Sequence, residues 1–241
     1  MATIVSRPVV KLGKHTDDYF FTGMSLLVLG TVFLGFARSY FLAGTVRAHL
    51  PSAIIHVHAV VFSSWILLFV AQTTLVSIGR IGWHKKLGIL GIILACLLVL
   101  LGTLAIIDAT RRHFTPPGLT PGMFLAVDLG EMAAFGFLVG WGIRARRDGA
   151  AHKRLILLGT LVTLFAAVNR WPFAFIHQIP PSTEFVIDAF LLFIIAFDLV
   201  TRRKIHRTTG WGSLLIFLLP PAMFTLGRTP FWVHFTEWVQ R

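Results

Sequence analysis

Residues 87–107 read LGILGIILACLLVLLGTLAII, an apolar run without a charged side chain. At about 1.5 Å per residue, this run is long enough to cross the roughly 30 Å hydrocarbon core of a bilayer as a helix. The whole chain is similarly apolar, with 56% hydrophobic residues, 13% charged residues and a mean hydropathy of +0.78. A water-soluble globular protein is excluded by this composition, and the sequence predicts an integral membrane protein.

The apolar segments predict an all-α bundle of seven transmembrane helices. Backbone N–H and C=O groups cannot stay unpaired in hydrocarbon, and no segment alternates with the two-residue period of a barrel strand. The predicted spans are 19–43, 52–78, 86–109, 121–144, 153–174, 183–201 and 209–232. Residues 1–241 are therefore expected to form one transmembrane domain, in which a lone helix (19–43) precedes three helical hairpins (52–109, 121–174 and 183–232).

The basic residues predict the orientation of the bundle. Of the 22 lysines and arginines, fifteen lie before the first span or in the regions 79–86, 144–154 and 201–208, which share one side of the membrane. This positive-inside asymmetry predicts a cytoplasmic N-terminus and an outside C-terminus in a bacterial inner (plasma) membrane. The net charge of +12 is thus expected to contact anionic lipid headgroups rather than nucleic acid. The first eighteen residues lack a cleavable-signal pattern, so the first helix should remain as an anchor.

Three predicted helices carry an ionisable residue at the same depth. They begin PSAIIHVHAVVF (51–62), PGMFLAVDLGEMAAF (121–135) and PSTEFVIDAFLLF (181–193). Seven residues after each proline come His58, Asp128 and Asp188, roughly 10 Å inside their helix starts on the outer side. Ionisable residues in a membrane bundle usually face its interior, so this layer is the candidate functional site.

Neighbouring residues extend the layer. Asp128 and Glu131 are three apart and share a helix face. His56 and His58 are about 200° apart around a helix, so only one can face the carboxylates. The depth pattern favours His58, and His56 is expected to face a neighbouring helix. Six further polar residues are expected nearer the outer rim: Arg38, Tyr40, Asp108, Asn169, Arg170 and His177.

Imidazole and carboxylate are the ligands expected for zinc or iron. The sequence therefore predicts a metal site in the outer half of the bundle. With such a site, the chain would be a metal-dependent membrane enzyme. Its predicted ligands are His58, Asp128 and Asp188, with His56 as a further candidate and Glu131 as a fourth ligand or catalytic proton-transfer group. Arg38 and Arg170, with Asn169, are the predicted binding site for an anionic substrate at the cavity mouth.

Two other functions use the same layer. In an accessory subunit of a larger membrane complex, Arg38 or Arg170 would pair with the buried acids without any metal. In a proton- or cation-coupled transporter, histidine and aspartate would relay the cation, and Pro220 and Pro221 are expected to break the hydrogen-bond ladder of the seventh helix. Toward the cytoplasmic side, polar residues are then limited to Gln72 and Asp198, and Asp198 is expected to pair with Arg202.

A haem-binding redox protein is the remaining alternative, since haem iron is often held by two facing imidazoles. On the outer side, His58 or His56 would need a partner among His113, His177 and His234. On the cytoplasmic side, the candidates are His84, His152 and His206. Lysines and arginines surround these three, so contact with lipid headgroups is the competing interpretation.

One hairpin resembles a known arrangement. Residues 56–91, HVHAVVFSSWILLFVAQTTLVSIGRIGWHKKLGILG, resemble a helical hairpin of uncharacterised bacterial multi-pass membrane proteins. The shared features are a histidine (His58), a glutamine (Gln72), a basic loop, and a second histidine (His84) followed by Leu87 and Gly88. The resemblance implies a multi-pass membrane protein and no particular activity. The small-residue pair Gly136 and Gly140 is compatible with a homo-oligomer or a larger complex.

Overall fold

The computed structural model describes residues 16–43, 52–174, 176 and 182–241. Every regular element in these ranges is a helix, which confirms the all-α class. In chain order these are α1 (Thr16–Phe36), a short π-helix (Ala37–Phe41), α2 (Ala53–Ser77), α3 (Ile81–Arg111), α4 (Pro121–Arg144), α5 (Gly149–Val162), α6 (Phe165–Val168), α7 (Ser182–Arg202), α8 (Arg207–Gly227) and α9 (Pro230–Val239). Of the residues predicted near the outer rim, His177 lies outside the described ranges.

Five of the described helical segments are long and apolar enough to cross a membrane. They are Thr16–Phe41, Ala53–Ser77, Ile81–Arg111, Pro121–Arg144 and Arg207–Gly227. The other two predicted spans differ from these five. The predicted span 153–174 is divided between α5 and α6, and α7 carries Glu184, Asp188 and Asp198 within an otherwise apolar helix.

Helix α5 lies at the centre of the bundle. It packs against α1, α4, α7 and α8, and its buried residues run almost without interruption from Arg154 to Val162. A helix that is buried on all sides needs no polar face, which explains why its sequence LILLGTLV lacks an amphipathic pattern. The helix ends at Thr163, where the chain turns before α6.

Two helix crossings are close enough to require glycine. At Gly35 in α1, an added Cβ would overlap the backbone of Ala167 in α6. At Gly122 in α4 and Gly227 at the end of α8, each added Cβ would meet the backbone of the opposite helix. These crossings fix α6 against α1 and the end of α8 against the start of α4.

The two prolines in α8 interrupt its hydrogen-bond ladder without ending the helix. Helix α8 continues from Arg207 to Gly227 with Pro220 and Pro221 inside it. Each proline lacks an N–H, so the carbonyls four residues earlier, of Ile216 and Phe217, lose their usual helical donors. The predicted span 209–232 instead ends at Gly227, because a new helix begins at Pro230 with Thr229 as its N-cap.

Candidate functional site

Two acidic side chains lie one turn apart on α4. The helix begins at Pro121 behind the N-cap Thr120, whose side chain accepts a hydrogen bond from the Met123 N–H at 3.2 Å. This start places Glu131 in the protein interior, with 4% of its surface exposed, and Asp128 in a half-buried position. Within the described residues neither carboxyl group makes a hydrogen bond. A carboxylate with little exposed surface and no protein hydrogen bond is unfavourable, so each of these groups needs water, a proton, a cation or a ligand.

Arg170 faces the acid pair from the end of α6. It interacts electrostatically with both Asp128 and Glu131, but no ion pair joins it to either acid in the described part of the chain. Its guanidinium instead donates to the Ala166 carbonyl at 2.6 Å and lies 5.0 Å from the centre of the Phe36 ring. Because the Arg170 side chain is exposed, it connects the buried carboxylates to the accessible surface of the protein.

His58 on α2 completes the cluster. It interacts electrostatically with Arg170, and its ring stacks on Phe62 with centroids 6.1 Å apart. Gly102 on α3 lies beside the ring, and a Cβ there would make an ordinary 3.6 Å contact with His58 Cε1. The buried Nδ1 atom of His58 has no hydrogen-bond partner among the described residues. We call His58, Asp128, Glu131 and Arg170 the outer cluster.

Asp188, the third residue of the predicted layer, is not part of the outer cluster. It is half-buried on α7, and no hydrogen bond or ion pair joins it to Asp128 or Glu131 in the described part of the chain. In the described ranges, no group of three or more His, Cys, Asp or Glu side chains is placed to hold a metal ion. The zinc or iron site with His58, Asp128, Asp188 and His56 therefore stays a prediction that this geometry does not support.

The remaining predicted residues lie around the cluster. His56 faces a neighbouring element, as expected, with its Nδ1 atom 3.3 Å from the Tyr40 hydroxyl. Asn169 accepts a hydrogen bond from Thr183 at 2.6 Å, which links α6 to α7. Arg38 is exposed on the π-helix and has no ion pair within the described residues. A substrate-binding role for Arg38, Arg170 and Asn169 stays a prediction.

A buried ion pair, Arg154 with Asp198, replaces the expected pair of Asp198 with Arg202. The side chains of Arg154 on α5 and Asp198 on α7 are both fully buried. Asp198 also accepts hydrogen bonds from the Thr209 hydroxyl at 2.5 Å and the His206 N–H at 3.0 Å. The Arg154 guanidinium therefore ties α5 to α7. We call Arg154, Asp198, His206 and Thr209 the inner clamp.

His206 gives the inner clamp a pH dependence. Burial lowers the pKa of this imidazole from 6.5, and the charges of Arg154 and Arg202 lower the pKa further. Its Nδ1 atom accepts a hydrogen bond from the Thr208 N–H at 3.2 Å and caps α8, which only a neutral ring can do. Since the folded-state pKa is below the unfolded value, this stability is present above pH 6.5 and is lost as the pH falls through the folded-state pKa.

We therefore expect His206→Asn to be less sensitive to acid than the wild type. Asparagine is a good N-cap that does not titrate, so the variant should match the wild type near pH 8 and exceed its melting temperature at acid pH. Thermal unfolding of the detergent-solubilised protein, measured at a series of pH values from acid pH to pH 8, tests this expectation. The control His234→Asn changes an exposed histidine and should retain the wild-type pH dependence. Parallel curves for all three proteins would contradict the capping role.

Comparison with protein family models, with curated proteins and with solved structures found no match. The function therefore has to be inferred from the chain's own residues.

Proposed function

We propose that the chain is a proton- or cation-coupled transporter of the bacterial inner membrane, in which Asp128 and Glu131 bind the coupling cation. The observation that carries this proposal is Glu131, which is 4% exposed and has no hydrogen bond within the described residues. Ionisable side chains inside a bundle commonly mark proton relays and ion pathways. The proposal includes the seven-span topology with a cytoplasmic N-terminus, in which α5 with α6 and then α7 supply the two additional spans.

The chemistry of the outer cluster suits reversible cation binding. Two carboxylates one helical turn apart repel each other in a medium of low dielectric constant, so they bind a proton or small cation between them. Arg170 carries a permanent positive charge, which competes with that cation for the same carboxylates. A movement of Arg170 toward Asp128 and Glu131 would therefore release the cation, and a movement away would favour its uptake.

Polar groups continue from the outer cluster along α2. His58, Trp65 and Gln72 are spaced seven residues apart and so share one helix face. The Trp65 indole N–H donates to the Thr160 hydroxyl of α5 at 3.3 Å. The side-chain amide of Gln72 lies beside Gly88, one turn after His84 on α3. This stripe extends toward the basic end of the bundle, which favours transport over a function confined to the outer half.

Glu131→Gln tests the proposal directly. Glutamine keeps the shape of glutamate but cannot release a proton, so we expect the variant to abolish proton movement while the protein remains folded. The purified chain would be reconstituted in vesicles that contain a pH-sensitive dye, and proton flux would be driven by a potassium diffusion potential. Infrared difference spectra should show a carboxylic acid band in the wild type that the variant lacks.

Asp188→Asn is the matched control, because Asp188 is a half-buried acid outside the outer cluster. We expect its proton flux to equal that of the wild type. Equal flux in Glu131→Gln and wild type, or no flux in the wild type, would overturn the proposal. Elemental analysis of the same samples tests the metal prediction, which requires near-stoichiometric zinc or iron that is lost in Asp128→Ala.

A further inference from the structure

Two histidines meet at the basic end of the bundle. His84 lies in the first turn of α3 and His152 in the first turn of α5, on different predicted hairpins. Their ring centroids are 6.2 Å apart, and the ring planes are nearly perpendicular at 85°. Among the described residues, no other two histidine rings are in contact. Both side chains are half-buried, although the surrounding lysines and arginines indicated lipid contact from the sequence.

Each ring of this pair has one nitrogen that is not occupied by a hydrogen bond among the described residues. His152 Nδ1 lies 2.7 Å from the Gly142 carbonyl, and since a carbonyl only accepts, this nitrogen carries the hydrogen. In a neutral ring, Nε2 is then left with its lone pair. A backbone carbonyl behind Nδ1 is the usual support for a metal-bound histidine. The His84 Nδ1 atom and the Gln72 Oε1 atom are both buried with no hydrogen-bond partner in the described part of the chain.

The separation of the rings fits one shared metal centre. With metal–nitrogen bonds of about 2.0–2.1 Å, two imidazoles on one ion have centroids roughly 5–6.5 Å apart, depending on the angle at the metal. The observed separation of 6.2 Å lies near the upper end of this range. A wide angle of this kind suits a two-coordinate ion or two axial ligands.

The local charge does not exclude a cation. The two residues that follow His152 are both positive, but Lys153 pairs with Asp17 at 2.7 Å and Arg154 pairs with Asp198. Lys86 lies over the Trp83 ring at 5.1 Å from its centre. Two of the positive charges nearest to His152 are thus neutralised by carboxylates. The remaining exposed lysines would suit the carboxylates of a haem.

We propose that His84 and His152 bind one metal centre, either a bare transition-metal ion that prefers imidazole or the iron of a haem. A bare ion and a haem iron would each be bound by the same two imidazoles. The site is separate from the outer cluster, since His58 and Gln72 are about 20 Å apart along α2. It does not depend on proton transport. Gln72, whose side-chain oxygen is buried without a hydrogen-bond partner among the described residues, is a candidate additional ligand for a bare ion.

The test uses the full chain purified in detergent and titrated separately with Zn²⁺, with Cu⁺ and with haemin. We expect one equivalent of metal per chain for an ion, or one equivalent of haem with a Soret band. His84→Ala and His152→Ala should each lose this equivalent. To separate lost binding from lost folding, His84→Gln and His152→Gln are measured as well, and only samples with wild-type helical content are compared.

His234→Ala is the control, because His234 is exposed and its ring contacts only the Pro230 carbonyl of its own helix. It should bind like the wild type. Failure to bind any of the three probes at one equivalent, or equal binding by the wild type and both histidine variants, would overturn the site. Glu131→Gln should bind normally, so failure of the transport proposal and failure of this site are separate outcomes.

Discussion

Replacing Asp198 with alanine should lower the free energy of unfolding by about 3–5 kcal/mol, because it leaves Arg154 charged, buried and unpaired. The wild-type carboxylate accepts bonds from Arg154, Thr209 and the His206 backbone, so one substitution releases donors on three segments of the chain. The expected result is a large drop in melting temperature or a failure to accumulate in the membrane. Thermal unfolding in detergent and the amount of folded protein in membranes measure it.

Two further variants show whether the destabilisation comes from breaking the buried ion pair or from removing any one charge. Asp17→Ala removes the partner of Lys153, but that pair is partly exposed and should contribute about 1 kcal/mol or less. The double variant Arg154→Met with Asp198→Leu removes both charges and should recover most of the stability lost in Asp198→Ala. If the double variant is no more stable than Asp198→Ala, the unpaired arginine is not the cause.

Replacing Gly35 with alanine should also destabilise the bundle, by about 3 kcal/mol, at the upper end for overpacked sites. The added methyl group would overlap the backbone of Ala167, which cannot move aside as a flexible side chain would. The helices α1 and α6 would have to separate, and Arg170 at the end of α6 would move with them. Thermal unfolding should show the lower stability, and proton flux in vesicles should fall in parallel.

Gly30→Ala is the matched control on the same helix. A Cβ at Gly30 has no neighbouring atom within 4 Å, so the methyl group meets no protein there. Alanine is also the better helix former, and the variant should be as stable as the wild type or up to about 1 kcal/mol more stable. Equal stability of Gly35→Ala and Gly30→Ala would mean that the crossing at Ala167 can relax.

Local signals in the sequence predicted part of the fold. The bounds of α4 agree with the prediction of 121–144, because Thr120 and Pro121 form a cap and first turn that are recognisable from the sequence. The sequence does not indicate that α5 ends at Thr163, because neither glycine nor proline stands there. The prediction for Asp198 chose the nearest arginine along the chain, whereas the actual partner, Arg154, lies on another helix. Sequence spacing cannot identify such a contact.

The candidate site, like the fold, is only partly predictable from the sequence. The adjacency of Asp128 and Glu131 follows from their three-residue spacing on one helix. Counting residues from each proline gave the depth of Asp188, but depth does not fix how far a helix is rotated about its axis. No hydrogen bond or ion pair joins Asp188 to the α4 acids among the described residues, so its place in the site stays a prediction. The contact of His84 with His152 depends on how two hairpins pack, which no pattern within either hairpin records.

The course of α8 has a mechanical consequence. One end of this rod is held by Thr209 in the inner clamp, and the other by the tight backbone crossing of Gly227 with α4. Between these two fixed points, Pro220 and Pro221 leave two neighbouring carbonyls without their usual hydrogen bonds. Resistance to bending is therefore lowest near Pro220, and any flexing of the rod concentrates there while both of its ends stay in place.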